Sequence, residues 1–376
     1  MSRNSQPTPE PWMFDPVDST DYSAVIAPER YGKRADLFDP LISETHQHFW
    51  DPSDPAYIDF GTPFDLENRT VLPMELVPEL RTAVADRLDE KQRIAFANQS
   101  ARWWISSVLH GEQGALSLSA GLCHVFDNLG AVEYAANQAR EEARHVTAFA
   151  RYIKARWGTP LPASRTLGAL LGGIVASSEV YQKIIGMQLL VEGLGMGIFA
   201  TFHSKANDPL LVRLAQLVMT DEAFHHKFGK LWSKAAVPAM SVEERDRAED
   251  WAAQCFQALM FNMMHAREKQ AVYSQFGMDW EWVRDAMKES YTSASRREEM
   301  RDSTNVFRVL TKTLLNAGII TSRTRDVYAA WVDLKELSEE DEGLIAEPIA
   351  ESGLALLREI NSTRPVRRKT AVAAAE

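Results

Sequence analysis

The chain has 376 residues, 45% of them hydrophobic, so it can bury a large core. Its formal net charge of −11, without a basic stripe interleaved with aromatic residues, gives no electrostatic support for a nucleic-acid partner. Two cysteines are too few for a disulfide framework, and the apolar stretch 167–176 is too short and glycine-rich to span a bilayer, so we expect a cytoplasmic protein without a membrane partner.

Residues 1–75 are predicted to form an extended N-terminal arm. This segment is rich in Pro and Asp, and pairs such as Asp39-Pro40 disfavour regular structure. From residue 76 to residue 335 the pattern becomes helical, which predicts one large helical domain.

The arm contains two histidines, His46 and His48, in a His-x-His pattern that could hold a metal. Such short motifs are often false positives. The favoured interpretation is that the next two residues, Phe49 and Trp50, pin the arm to the helical domain.

The first long helix is predicted over about 90–125, with Asp89 as its N-cap. Apolar residues surround Glu112 on one face of this helix. The pattern therefore predicts that the Glu112 carboxylate points toward the core and not toward water.

The second helix is predicted over about 130–157. It places Gln138, Glu142, His145 and Phe149 on one stripe, because positions three and four apart share a helix face. Glu142 and His145 thus form a carboxylate and imidazole pair with a common direction.

The third helix, about 177–204, contains two carboxylates with different surroundings. Glu179 lies in the first turn, where an acidic residue is expected as a cap and dipole partner. Glu192 lies in an apolar, glycine-rich run, where a charge would cost several kcal/mol unless it were paired or bound to a metal.

The fourth helix is predicted over about 208–234 and carries Glu222 and His225 at the same spacing as the pair on the second helix. His226, four residues after Glu222, lies on that face as well. Symmetry with His145 favours His225, but a contribution from His226 stays open.

These carboxylates and imidazoles form a duplicated unit, because each member recurs 80 residues later. In a four-helix bundle such residues converge on one point, as in di-iron and di-manganese carboxylate proteins. Four carboxylates without cations would repel strongly in a core, and mixed oxygen and nitrogen ligation suits iron or manganese. We expect two irons, or one manganese and one iron, and the predicted ligands are Glu112, Glu142, His145, Glu192, Glu222 and His225.

Behind the ligands, Glu141 and Asp221 occupy matching positions in the two motifs. Each could accept the free ring N–H of the histidine across the site and fix its orientation. Ordinary surface charge is the alternative interpretation, and it applies more to Glu141 than to Asp221.

After the fourth helix the pattern stays helical. Further helices are predicted over about 241–275, 278–300 and 304–332. Residues 336–376 are predicted to form an acidic linker, a short helix and a disordered tail.

The sequences Glu-Glu-Ala-Arg-His at 141–145 and Asp-Glu-Ala-Phe-His at 221–225 resemble the paired metal motifs of the ferritin-like di-iron carboxylate superfamily. The oxygen-activating branch includes multicomponent monooxygenase hydroxylases, acyl carrier protein desaturases and the ribonucleotide reductase radical subunit. The resemblance covers about residues 45–230. It implies an all-α, ferritin-like four-helix bundle with additional helices, two irons, and O2 as co-substrate.

The resemblance also implies roles outside the ligand set. Phe-Trp-Asp-Pro at 49–52 is similar to a segment of the reductase subunit, so Trp50 is expected to reach Asp221 and to relay electrons. Phe149 stands where a radical tyrosine would be needed, which disfavours ribonucleotide reduction. Val218 stands where arylamine N-oxygenases of the superfamily carry an extra histidine, and this departure removes support for direct N-oxygenation of that type.

The expected function is an O2- and reductant-dependent di-iron oxygenase, a hydroxylase, that acts on an apolar or aromatic small molecule. An electron-donor protein, a reductase or ferredoxin, is the expected partner, and a homodimer is left open. Catalytic residues beyond the metal ligands are not expected. The alternatives are a desaturase of a carrier-bound acyl chain and a ferritin-like iron oxidase or storage protein. The predicted pocket residues are Gln138, Phe149, Met196 and Phe199.

Overall fold

The computed structural model describes residues 22–290, 306–339 and 346–363. These residues form helices and turns, and none of them lies in a strand, which confirms the predicted all-α class. In chain order the helices are α1 (Tyr22–Val25), α2 (Asp39–Gln47), α3 (Glu90–Val125), α4 (Leu129–Trp157), α5 (Arg165–Ala176), α6 (Val180–Lys183), α7 (Glu192–Lys205), α8 (Pro209–Ala239), α9 (Val242–Met264), α10 (Gln270–Tyr273), α11 (Trp280–Ser290), α12 (Val306–Asn316), α13 (Arg325–Ala329), α14 (Leu334–Glu339) and α15 (Ala346–Ser362).

The bundle that holds the site consists of α3, α4, α8 and the helical rod Val180–Lys205. The N-termini of the three α-helices are capped by side chains. Asp89 and Gln92 form a capping box at α3, while Asn128 caps α4 and Asp208 caps α8. These caps satisfy backbone N–H groups that have no partner within the helix, so the starts of the helices that carry ligands are well defined.

The rod Val180–Lys205 is not a regular α-helix. Its central part, Ile184–Val191, is a π-helix that ends directly before Glu192. Gly229 of α8 faces this part, and a Cβ atom there would lie 3.1 Å from Leu189 Cδ2, so glycine permits a close approach of the two elements. π-helical turns are frequent at functional sites.

The same rod is long and apolar enough to cross a bilayer by length and composition. Within the protein, however, 89% of its most apolar window is buried. The central helix of a globular bundle can also be this long and apolar, because it is buried on every face.

Several elements differ from the sequence prediction. The helix predicted over 241–275 ends at Met264, and the helix predicted over 304–332 is interrupted after Asn316. Helix α2 lies inside the segment expected to lack regular structure. It forms there because Pro40 occupies its first turn, where proline favours the start of a helix. Helix α5 was not predicted. Residues 1–21, the second half of the helix expected at 278–300, and the tail after residue 363 lie outside the described residues.

Candidate metal centre

The bundle brings the six predicted ligands together in its interior. They are Glu112 on α3, Glu142 and His145 on α4, Glu192 on α7, and Glu222 and His225 on α8. No member is more than 6% exposed. The carboxylates therefore cannot rely on water to stabilise their charges.

The Nδ1 atom of His145 faces three carboxylates. It lies 3.2 Å from Glu112 Oε2, 3.2 Å from Glu142 Oε2 and 3.3 Å from Glu222 Oε1. The ligand atoms of these four residues all lie within 4.8 Å of one another. One ring N–H cannot satisfy three acceptors, so a cation fits this point better than a proton.

His225 repeats the arrangement on the other side. Its Nδ1 atom lies 3.0 Å from Glu142 Oε1 and 3.2 Å from Glu222 Oε2, and ligand atoms of Glu142, Glu192 and His225 lie within 4.8 Å of one another. The two oxygens of Glu142 face different histidines, as do those of Glu222. These two carboxylates therefore lie between two cation positions, whereas Glu112 and Glu192 lie beside one position each.

The charge of the cluster fits two divalent cations. Four carboxylates carry four negative charges, two divalent irons carry four positive ones, and imidazole binds metal in its neutral form. Without a cation beside them, burial raises the pKa of Glu112 and Glu192 well above the usual range, so these two carboxylates need a bound cation to stay ionised. Burial also acts to raise the pKa of Glu142, but His225 and His145 beside it lower that pKa. The mixed oxygen and nitrogen donors suit iron.

The outer nitrogens of the two histidines are held by carboxylates of the opposite helix. His145 Nε2 donates to Asp221 Oδ2 at 2.8 Å, and His225 Nε2 donates to Glu141 Oε2 at 2.9 Å. Glu141 belongs to α4 and Asp221 to α8, so each helix orients the histidine of the other. This arrangement directs both Nδ1 atoms toward the centre.

Asp221 also joins the N-terminal arm to the site. Trp50 Nε1 donates to Asp221 Oδ2 at 2.8 Å, and Arg144 Nε donates to the same oxygen at 3.0 Å. Burial would raise the pKa of Asp221, but Arg144 and His145 hold it well below the usual range. Trp50 is fully buried, whereas Phe49, also expected to pin the arm, is 45% exposed.

His48 also belongs to the residues that contact these outer carboxylates, although its sequence context did not reveal that role. It is fully buried, and its Nε2 atom lies 3.2 Å from Asp221 Oδ1 and 3.7 Å from Glu141 Oε1. Its position two residues before Trp50 was the available signal, since the end of α2 and the following turn direct both side chains into the bundle.

An apolar cavity with about 690 Å³ of empty space, part of it open to solvent, reaches the carboxylates Glu112, Glu192 and Glu222. Three aromatic rings from α3 and α7 line it, and residues of α5 and α9 also contribute to its wall. The other lining residues are Trp103, Trp104, Ser107, Val108, Gly111, Ala115, Leu167, Val191, Leu194, Gly195, Ile198, Phe199, Leu259, Asn262 and Met263.

Of the four predicted pocket residues, the structure places Phe199 in this lining and the other three outside it. Gln138 instead donates to Glu192 Oε1 at 2.8 Å and to Glu142 Oε1 at 3.3 Å. Phe149 packs against Phe199, with ring centroids 5.8 Å apart. The prediction considered the four ligand helices alone, whereas α5 and α9 supply part of the cavity wall.

The structure separates His226 from the carboxylate cluster. Among the described residues, the groups able to hold a metal include His225 and not His226. His226 is 3% exposed, and burial lowers its pKa to about 3, so the ring is neutral.

We therefore expect His226→Ala to lose packing but to keep the full iron content, because it removes no ligand. Elemental analysis of the purified variant after loading with Fe(II) measures this directly. Loss of iron from His226→Ala, with retention of iron in His225→Ala, would reverse the assignment.

A search of curated proteins finds no match to this chain. A family model described as p-aminobenzoate N-oxygenase AurF matches residues 32–313, which include the arm from α2 onward and the whole bundle. The match confirms the predicted superfamily and the enzyme class, a non-haem di-iron oxygenase that uses O2. The chain belongs to the p-aminobenzoate N-oxygenase AurF family.

Proposed function

We propose that this chain uses two irons, O2 and an external reductant to oxygenate a small aromatic molecule. In this proposal Glu112 and His145 would hold one iron and Glu192 and His225 the other, while Glu142 and Glu222, which face both histidines, would contribute to both positions. The observation that carries the proposal is the apolar cavity that reaches Glu112, Glu192 and Glu222. An iron store needs no such cavity, so the cavity disfavours the storage alternative.

The irons, when bound and reduced, supply the oxygen-activating chemistry, and the protein positions the substrate and excludes water. Trp103, Trp104 and Phe199 offer flat apolar surface to an aromatic ring. Gln138 holds the Glu192 carboxylate in place by its hydrogen bond. Ser107 and Asn262 are polar groups in the lining that can orient a polar substituent.

The family description supports an aromatic amine as the substrate and its nitrogen as the site of oxygenation. Position 218 carries a valine, which is fully buried in the core, so this position offers no extra histidine ligand. On the family description we propose N-oxygenation by a site of six ligands. Hydroxylation of an aromatic carbon is the second candidate, and the valine at position 218 favours it. No observation favours a carrier-bound acyl chain.

The external electrons require a donor, which we propose to be a reductase or ferredoxin in the cytoplasm. Trp50 supports a route for these electrons, because its indole contacts Asp221, which in turn binds His145.

The test is oxygenation of a panel of small aromatic compounds by the iron-loaded, reduced protein. The panel includes p-aminobenzoate, aniline and toluene, and isotopically labelled O2 identifies products by mass spectrometry. The proposal expects labelled oxygen in an aromatic amine. Consumption of O2 with iron oxidation but without any organic product would contradict it and favour an iron oxidase.

A cavity-filling variant separates substrate binding from iron binding. Gly111 lines the cavity, and a Cβ atom there would have its nearest contact at 3.9 Å, Val191 Cγ1. We expect Gly111→Leu to lower product formation at least about tenfold, the effect of ~1.4 kcal/mol of lost transition-state stabilisation, with iron content unchanged.

Gly121→Leu is the matched control, because it lies on the same helix and a Cβ atom there has no neighbour within 4 Å. Both variants are assayed for bound iron and product. Full product yield from Gly111→Leu would show that the substrate binds elsewhere.

A further inference from the structure

Two outer carboxylates of the metal centre meet at one buried imidazole. His48 Nε2 lies 3.2 Å from Asp221 Oδ1 and 3.7 Å from Glu141 Oε1. The other oxygens of these carboxylates accept the Nε2–H groups of His145 and His225. A continuous chain of contacts therefore joins one ligand histidine to the other through His48.

The ring of His48 is fixed by packing. It stacks on Phe224, with centroids 4.8 Å apart and an angle of 9° between the planes. Phe224 lies on α8, between Glu222 and His225, so the ring is held against the helix that supplies both ligands. All of its surface is buried away from bulk solvent.

His48, Glu141 and Asp221 also have ligand atoms within 4.8 Å of one another, as a metal site would require. Their surroundings oppose a third cation. Arg144 contacts both carboxylates, with Nη2 2.5 Å from Asp221 Oδ1 and 3.6 Å from Glu141 Oε1. A metal here would be repelled by the guanidinium, so a proton on His48 suits this place better.

We propose that His48 is a positioning residue that holds Asp221 and Glu141 together and thereby fixes the orientation of both ligand histidines. Its Nε2 atom faces one oxygen of each carboxylate, at 3.2 Å from Asp221 Oδ1 and 3.7 Å from Glu141 Oε1, and attracts both electrostatically. Its positive charge, together with that of Arg144, balances their two negative charges. The raised pKa of His48, about 9, agrees with this role, because Asp221 and Glu141 outweigh the lowering effect of burial. The inference rests on the metal site proposed above.

The experiment compares His48→Phe, His48→Gln and His226→Phe by titration with isotopically labelled Fe(II) and by Mössbauer spectroscopy. His48→Phe keeps an aromatic ring against Phe224 but has no N–H, whereas His48→Gln restores a donor. His226→Phe is the matched control, since His226 is a buried histidine of the same bundle without a contact to either carboxylate. Circular dichroism of each metal-free variant verifies folding.

We expect about tenfold weaker Fe(II) binding in His48→Phe, because partners of ligand histidines typically change metal affinity by ~10–100-fold. Both Mössbauer doublets should shift, since both histidines lose their restraint. His48→Gln should recover most of the affinity, and His226→Phe should match the wild type.

Three outcomes would overturn the inference. They are wild-type iron binding and spectra in His48→Phe, a change confined to the iron beside His145, and a third metal in the wild type that His48→Phe loses. If His48→Phe does not fold, His48→Leu takes its place, and additive effects of His48→Leu and Glu141→Gln in a double-mutant cycle would overturn the inference. Failure of the wild type to bind two irons contradicts the proposed metal site itself, so the two failures are distinguishable.

Discussion

Replacing Glu192 with Ala is expected to abolish product formation while the protein stays folded. The carboxylate is 5% exposed at the start of α7, and its ligand atom lies with those of Glu142 and His225. In the proposed site, its loss removes the carboxylate that would hold one iron alone. Because even partners of ligands alter metal sites by ~10–100-fold, we expect product formation to fall by on the order of 100-fold or more.

The fold should survive because a buried charge is removed together with the demand for a cation beside it. Gln138 loses its 2.8 Å bond to Glu192 but keeps the contact with Glu142 Oε1 at 3.3 Å. Iron content, O2 consumption and product are measured together.

Glu179→Ala is the matched control, because Glu179 is exposed and lies directly before α6 and the rod. Its side chain makes no capping hydrogen bond, so the capping role predicted from the sequence is wrong. The substitution should cost about 1 kcal/mol or less and leave iron and product unchanged. Full product yield from Glu192→Ala with loss of product in Glu179→Ala would show that the third-helix ligand is misassigned.

Replacing Asp208 with Ala is expected to give the largest loss of stability. Arg156 donates to both oxygens of Asp208, at 2.7 and 3.0 Å, and the hydroxyl of Tyr152 donates at 2.8 Å. Asp208 also accepts the backbone N–H of Leu210 and so caps α8, the helix of Glu222 and His225. The variant leaves a buried guanidinium without its partner, which costs about 3–5 kcal/mol in free energy of unfolding.

The control is Asp89→Ala, which removes the N-cap of α3 where no buried cation depends on it. Asp89 Oδ1 accepts the Gln92 N–H at 2.8 Å in an exposed capping box. This variant should lose about 1 kcal/mol. Denaturant unfolding of both proteins gives the comparison, and equal losses would show that the buried ion pair contributes little.

Much of the bundle follows from local signals in the sequence. Asp89 predicts the start of α3, and the Glu-x-x-His pairs predict which faces of α4 and α8 turn inward. Helical periodicity is a strong signal in these long elements, because an apolar stripe must face the core wherever the helix packs. The membership of residues 32–313 in an oxygenase family agrees with the chemistry that these pairs predicted.

The π-helical segment before Glu192 could not be predicted, because its sequence is apolar on every side and has no periodicity to read. Likewise, the pair Asp39-Pro40 is compatible both with a segment without regular structure and with the first turn of a helix. Tertiary packing selects the second, helix α2.

The residues around the metal ligands come from distant segments of the chain. A single sequence does not show which of these segments come into contact. His48 contacts Asp221 across 173 positions of the chain, and Asn262 of α9 reaches the cavity. Such residues carry no local pattern. Their roles appear only when the folded chain brings the arm and the later helices to the bundle.

Iron content is the most direct measurement of the central claim, that six converging side chains bind a di-iron centre. Elemental analysis of protein loaded with Fe(II), together with Mössbauer spectroscopy after exposure to O2, counts the metals and shows whether they are adjacent. We predict two irons per chain that are magnetically coupled through the bridging carboxylates Glu142 and Glu222. A single zinc, or one isolated iron, would contradict the claim.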